Sequence, residues 1–209
     1  MDRDKNPYSE AYFEGKQSNY SIFGGYGSFI NSLGRRILMR KAISSIKKYK
    51  PRGKLMDIGC AYGYFVNYAS KKGFDASGFD ISEYAIRRGY DMFPLVKNKL
   101  RCSDITGLKI DKKFDVITAF EVLEHCRSLG KSVEKIKKML KPNGILLITV
   151  PDAEIFPEHE DRDETHVWRM AMDEWQNEME RLGLKCLERF YYPLGKNKFS
   201  AAFLVFKKK

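Results

Sequence analysis

The sequence predicts an α/β fold, a parallel sheet with helices packed on both faces. Three features carry that expectation. From Leu55 onward, short apolar runs alternate with segments of helical period, the rhythm of strand–helix–strand units. The run from Ile145 to Val150 is apolar at nearly every position, as a strand covered on both faces must be. The stretch from Lys54 to Val66 passes from an apolar run, through Gly59 and Gly63, into a helical pattern. Such a small-residue loop lets the backbone come close to a ligand and offers the free N–H groups of a helix start to an anion.

In chain order, residues 6–28 are rich in Tyr, Phe, Gly, Ser and Asn and fit neither period; they read as an aromatic arm folded back onto the domain. Residues 28–50 take a helical period. Ile30, Leu33, Ile37, Ala42, Ile43 and Ile46 share one face, the other is basic, and Pro51 with Gly53 ends it. Strands follow at Leu55 to Ile58, Ala76 to Ile81, Leu100 to Cys102, Phe114 to Ala119 and Ile145 to Val150. Helices separate them at Tyr64 to Lys72, Ser82 to Met92 with Ser82 as N-cap, and Leu129 to Leu140, which stops at Lys141-Pro-Asn-Gly144. After a helix from Met172 to Leu182, two strands, Lys185 to Tyr192 and Phe199 to Phe206, are joined through Pro193 to Asn197, a connection short enough for an antiparallel pair. The expected organisation is one structural domain, with residues 1–50 as an arm and helix packed on a core formed by 51–209.

Composition bounds the function. Of 209 residues, 38 are basic and 27 acidic, a formal net charge of +11, which raises nucleic acid, an anionic surface or an acidic metabolite as partners. The lysines are interspersed with acids, so a basic-surfaced enzyme is the leading expectation. Cysteines 60, 102, 126 and 186 form no Cys-x-x-Cys pair, so neither a zinc framework nor a disulfide scaffold is indicated, and reduced thiols in the cytoplasm are expected. The charged start at Met1 to Lys5 lacks the apolar core of a signal peptide, and no apolar run approaches the ~20 residues of a membrane helix. No membrane partner is expected, and oligomeric state is not legible.

The loop itself sorts its ligands. A dinucleotide fingerprint would place small residues where Ala61 and bulky Tyr64 stand, and no Gly-Lys-Ser/Thr follows to make a P-loop. The stretch Asp57-Ile-Gly59-Cys60-Ala61-Tyr62-Gly63 instead resembles motif I of the class I S-adenosylmethionine-dependent methyltransferases. Ala61 stands at the motif's middle glycine, where a methyl group is tolerated if the backbone needs no positive φ. Four further segments are similar in the same order: Asp80 ending the second strand, Ser103-Asp104-Ile105 after the third, Phe114 through Glu121-Val-Leu-Glu-His125, and Leu140 to Pro151.

The resemblance covers about residues 52–206 and is nearest to the UbiG-like small-molecule group. It implies a Rossmann-like, doubly wound, seven-stranded sheet with the last strand antiparallel. It also implies S-adenosyl-L-methionine as cofactor, S-adenosyl-L-homocysteine as product, and methyl transfer to a small-molecule oxygen or nitrogen nucleophile. Cofactor contacts fall on Asp57, Gly59, Cys60, Ala61, Gly63, Tyr64 and Phe65 of the loop and on Asp80 and Ile81. They continue through Asp104, Ile105, Phe120 and Glu121. The aromatic composition of the arm adds the expectation that Tyr12, Phe13, Tyr20 and Tyr26 cover the cofactor cleft, Tyr12 and Tyr20 among the cofactor contacts, because the sulfonium's charge suits aromatic faces. An RNA methyltransferase, favoured by the net charge, and a non-catalytic S-adenosylmethionine-binding subunit are the alternatives.

Methyl transfer is mostly alignment and exclusion of water, and a base is needed only for a nucleophile that carries a proton of high pKa. Of three histidines, His125 closes the segment at the carboxyl end of strand four and His166 lies in the long connection after strand five; both are candidate general bases. His159 sits among acids as an exposed loop residue. The spacing of Glu121, Glu124, His125 and His166 also resembles the metal-binding E-x-x-E-H of small-RNA 2′-O-methyltransferases. The leading expectation is a metal-free site, with a divalent metal on those four residues as the alternative.

Overall fold

The computed structural model describes residues 7–108, 111–157, 159, 161, 163–192 and 201–208. Its strands are β1 (Gly53–Ile58), β2 (Phe74–Asp80), β3 (Leu100–Cys102), β4 (Phe114–Phe120), β5 (Leu140–Val150), β6 (Leu184–Tyr192) and β7 (Ala201–Lys208). They form one seven-stranded sheet in the order β3-β2-β1-β4-β5-β7-β6. The first five pair in parallel, and β7 runs antiparallel to both β5 and β6. The expected doubly wound sheet, with its terminal strand antiparallel, is the one observed. The order reverses between β1 and β4, and ligands of parallel sheets bind at the carboxyl ends flanking such a switch point.

The helices are α1 (Glu10–Phe13), α2 (Tyr26–Asn31), α3 (Leu33–Tyr49), α4 (Tyr64–Lys71), α5 (Glu83–Met92), α6 (Leu129–Met139) and α7 (Met172–Arg181). Successive strand residues point to opposite faces. Met56, Ile117, Leu146 and Ile148 therefore join Leu129, Val133 and Ile136 of α6 and Trp175 of α7 in one core, while Leu55, Val116, Ile145 and Leu147 join Ala42 and Ile46 of α3, Phe65 and Val66 of α4 and Ile86 of α5 in the other.

The N-terminal region departs from the expectation in two ways. The arm is not free of regular structure: α1, a 3-10 turn at Asn19–Phe23 and α2 fold it into short helical pieces. The single helix expected over 28–50 is broken at Ser32, which leaves helical geometry and caps α3 by accepting from Arg35 N–H at 3.3 Å. The buried stripe of α3 is Leu38, Ala42, Ile43 and Ile46, whereas Leu33 and Ile37, placed on that face by sequence, are 72% and 42% exposed. The turn at 141–144 is also not a plain loop. It lies within β5, where Asn143 has φ +60° and the β4–β5 register shifts between Phe114 and Val116. The connection at 193–197 lies outside the described residues.

The glycine loop after β1 is pressed against the end of β4. Gly59 has φ +65°, and a β-carbon there would lie 2.3 Å from Val122 Cγ2. Gly59→Ala adds both the left-handed penalty and that overlap. It is expected to destabilise the fold by about 2 kcal/mol or more, read as a lowered denaturant midpoint at unchanged slope.

Candidate functional site

The site is built on the carboxyl ends of β1, β2 and β4. The loop Gly59 to Gly63 turns by three left-handed residues, Gly59 (φ +65°), Ala61 (φ +45°) and Gly63 (φ +78°). Ala61 does take a positive φ, so the condition under which its methyl group would be tolerated freely is not met; the conformation costs ~1–2 kcal/mol in an L-residue. What holds it is Asp80, whose Oδ2 accepts Ala61 N–H at 2.8 Å while Oδ1 accepts Ser82 N–H at 2.8 Å. The carboxylate thus fastens the loop to the end of β2 and the entry of α5, and Ser82 caps that helix as expected by accepting from Ala85 N–H at 3.1 Å. Ile81, next in chain, leaves 39% of its surface exposed at this edge.

Asp57 is buried on β1, opposite Thr118 of β4, whose hydroxyl donates to Asp57 Oδ1 at 2.6 Å. Burial pushes the Asp57 carboxyl up to about 7, against the Thr118 hydrogen bond and with the help of the nearby Asp80 charge. Cys60, within the loop, is buried. Tyr64 leans outward: its hydroxyl accepts from Asn31 Nδ2 at 2.9 Å and its ring meets Phe93 edge-on at 4.8 Å. Phe65 and Ile105, expected at the cofactor, turn into the two cores, Phe65 meeting Phe120 at 4.7 Å. Asp104 is exposed and closes a turn, accepting Thr106 N–H at 2.6 Å and Gly107 N–H at 3.3 Å.

The arm covers the loop with aromatic rings. Phe13 and Tyr26 pack on Tyr62 at 5.3 and 4.9 Å, and Tyr20 meets Tyr12 at 5.6 Å and Tyr26 at 5.1 Å. Ser82 donates to the Tyr8 carbonyl at 2.6 Å, anchoring the start of the arm to α5. Tyr12 reaches past the loop, its hydroxyl donating to Asp163 Oδ2 at 2.8 Å, and Asn19 donates to Asp161 Oδ1 at 3.2 Å. The arm is therefore tied to the β5–α7 connection.

Arg35, which sequence reading left among the basic residues of a solvated face, belongs to this site. Its guanidinium lies 4.1 Å from the centre of the Phe29 ring, which itself packs on Tyr20 at 5.1 Å. Its Nε is buried without a hydrogen-bond partner, and among the described residues no carboxylate pairs with it. The signal in the sequence was its place in the first turn after the Ser32 cap.

Glu121 sits where β4 leaves the sheet, held at φ +55° with its N–H donating to Thr149 O at 2.9 Å and Oε1 buried without a partner. One turn on, Glu124 is fully buried and neither carboxylate oxygen has a hydrogen-bond partner; burial, then the Glu121 charge, pushes its carboxyl well up. The backbone oxygen of Glu124 accepts Val167 and Trp168 N–H at 2.9 and 3.1 Å, which brings the β5–α7 connection across the site. Ligand atoms of Glu124, His125 and His166 lie within 4.8 Å of one another, with Glu121 beside that group rather than in it.

Both imidazoles are fixed through Nδ1. Thr165 Oγ1 donates to Asp163 Oδ1 at 2.5 Å, so its 2.8 Å contact with His125 Nδ1 takes the proton from the ring. His166 Nδ1 lies 2.6 Å from Asp161 Oδ2, an acceptor, and donates likewise. Among the described residues neither Nε2 makes a hydrogen bond, Glu124 Oε1 lying 3.9 Å from that of His125 and Asp163 Oδ2 4.0 Å from that of His166, and burial, with the His166 imidazole alongside, pushes His125 down to about 4. His159 is exposed.

Comparison with known proteins agrees with this geometry. Residues 32–189 match the family model described as a methyltransferase domain, and the chain belongs to that family. A ubiquinone biosynthesis O-methyltransferase of Rickettsia akari is 25% identical over 122 residues, covering 57% of this chain and 49% of the relative. The chain spans about half the length of the curated relatives it matches. Among solved structures, the N-methyltransferase NodS of Bradyrhizobium japonicum, in complex with S-adenosyl-L-homocysteine, has a TM-score of 0.67 at 18% identity, covering 85% of this chain and 89% of NodS. The [4+2]-cyclase SpnF has a TM-score of 0.66 at 15% identity, covering 85% of this chain and 84% of SpnF. These likenesses establish the fold. No helix among the described residues is long and apolar enough to cross a membrane.

The raised carboxyl of Asp57 sets a sign. A group whose folded pKa lies above its unfolded one contributes stability that is complete below the unfolded pKa and is lost as pH rises through the folded value, here about 7. Asp57→Asn removes that loss. The melting temperature of Asp57→Asn relative to wild type is expected to climb between pH 5 and pH 8; a difference that is flat with pH would contradict the assignment.

Proposed function

We propose that this member of the methyltransferase-domain family transfers a methyl group from S-adenosylmethionine to an oxygen or nitrogen of a small molecule. The carrying observation is the left-handed loop fastened by Asp80 between two buried carboxylates. The residues fit the donor's parts. Asp57 accepts hydrogen bonds from its ammonium group, and Arg35, a cation without a carboxylate partner among the described residues, suits its carboxylate. Asp80 keeps acceptor capacity for ribose hydroxyls and Ile81 offers an apolar face to the base. Tyr20 and Tyr26, with Tyr12 at the far side of the arm, provide ring faces favourable to a positive charge. When bound, the cofactor supplies an electrophilic methyl group on a sulfonium. The protein's part is to align the acceptor, exclude water beneath the arm, and take up the acceptor's proton.

His125 suits the last task, since its Nε2 makes no hydrogen bond among the described residues, its ring is neutral at neutral pH, and Thr165 with Asp163 fixes its orientation. Glu124 favours a second reading. A fully buried carboxylate with no hydrogen-bond partner on either oxygen, set beside two imidazoles held through Nδ1 by second residues, matches the donor set and outer shell that a divalent cation takes. A cation there would bind through Glu124, His125 and His166 and lower the pKa of an acceptor hydroxyl.

The reading is tested by calorimetry with S-adenosylhomocysteine and by transfer of labelled methyl from S-adenosylmethionine into metabolite fractions. Asp57→Ala should raise the dissociation constant roughly 10-fold, and an absence of binding by the wild type would sink the proposal. Dialysis against a chelator separates the two readings of the histidine group. Under the cation reading, activity falls to background and returns with a divalent metal, and His125→Ala with His166→Ala abolishes the rescue. Under the base reading, chelation changes nothing and His125→Ala alone costs roughly 100-fold in kcat.

A further inference from the structure

The charge of this chain is not spread evenly. Between Glu14 and Asp57 there is no acidic residue, while ten basic ones occur, at 16, 35, 36, 40, 41, 47, 48, 50, 52 and 54. This stretch holds the arm and α3. Lys48 is tied to Glu188 at 2.9 Å and Lys41 lies over the Phe190 ring at 4.5 Å, both toward the sheet edge. Arg36, Arg40 and Lys47 are exposed on the outer face of α3, and among the described residues none has an ion-pair partner.

Apolar side chains that the core does not use are exposed on the same face and in the turn that precedes α2. Leu33 and Ile37, one turn apart on α3, are 72% and 42% exposed, and Ile22 and Phe23, in the turn before α2, are 65% and 42% exposed. Phe23 packs on Phe29 at 4.9 Å, and Phe29 carries the Arg35 guanidinium, so the apolar turn and the start of α3 are joined through one ring. Beyond Asn31, whose amide reaches Tyr64, the Tyr64 ring packs on Phe93, and Phe93 is flanked by the exposed Met92 and Leu95.

We infer that the outer face of α3 with the preceding turn is a docking surface for an anionic lipid bilayer. Exposed aliphatic groups interspersed with unpaired arginines and lysines are what a peripheral interface needs: apolar side chains enter the headgroup boundary while cations face anionic headgroups. A nucleic-acid surface would share the cations but has no use for exposed Leu33, Ile37 and Ile22, and the exposed ring of the patch, Phe23, is packed against Phe29 at 4.9 Å rather than set out as a stacking platform. Charge complementarity selects an anionic bilayer over a neutral one, because Arg36, Arg40 and Lys47 are exposed on this face with no ion-pair partner among the described residues. The surface adjoins the aromatic cover of the glycine loop, since Ile22 and Phe23 share a 3-10 turn with Tyr20.

Sedimentation with vesicles tests this, using phosphatidylcholine alone and phosphatidylcholine with one quarter phosphatidylglycerol. The wild type should bind the anionic vesicles, leave the neutral ones in solution, and be released by raised salt. Arg36→Ser with Arg40→Ser should weaken binding roughly 30-fold. Leu33→Gln with Ile37→Gln, which touches no core position, should weaken it roughly 10-fold at an unchanged melting temperature. Anionic-vesicle binding that the Leu33/Ile37 pair leaves intact would overturn the proposal by making the attraction a matter of net charge. So would equal binding to both vesicles, or no vesicle binding together with salt-sensitive binding of homopolymeric RNA.

Discussion

The carboxylate of Asp80 is the constraint on which the site depends. It closes one strand, accepts the N–H of Ala61 in the glycine loop and of Ser82 at the next helix, and so converts three chain segments into one rigid edge. The left-handed conformation of Ala61 is sustained by that bond; without it an L-residue would relax toward negative φ and the loop would lose its contour. Asp57, buried one strand over, is governed by the same edge, since its neighbours are Thr118 and the Asp80 charge.

Around this edge the molecule assembles a cover from two parts of the chain far apart in sequence. The arm contributes rings and the β5–α7 connection contributes acids, and they meet through Tyr12 with Asp163 and Asn19 with Asp161. The acids that receive the arm also orient the histidines: Asp163 through Thr165 to His125, and Asp161 to His166. Cover and chemistry are therefore coupled. The arm and the tautomers of both imidazoles lean on the same two acids, and the connection reaches the arm through Tyr12.

Most of the fold was legible because periodicity and burial have the same cause in a doubly wound sheet. Strands buried on both faces, such as the run ending at Val150, show as unbroken apolar segments, and the antiparallel end showed in a short connection. The failures came where local pattern and packing part. Leu33 and Ile37 fit the apolar face of a helix continued from residue 28, but the break at Ser32 rotates that face and leaves them outside. Asp104 shows how one acid can fit two local readings, since it follows β3 at the ligand edge and its Oδ1 also closes its own turn. Arg35 was invisible as a site residue because a basic residue on an amphipathic helix usually faces water.

By itself the sequence determined the order of elements, the glycine loop, and the acids that end β1 and β2, because hydrophobic period, left-handed turns and chain spacing are local properties. Tertiary structure alone decided that Ala61 is held left-handed, that Glu124 is buried with both oxygens unpartnered, and that His125 and His166, 41 residues apart in the sequence, meet beside it. It also decided which cations of the basic stretch stand beside exposed aliphatic groups. These depend on contacts between segments distant along the chain, and only the closed arm and the β5–α7 connection bring those segments together.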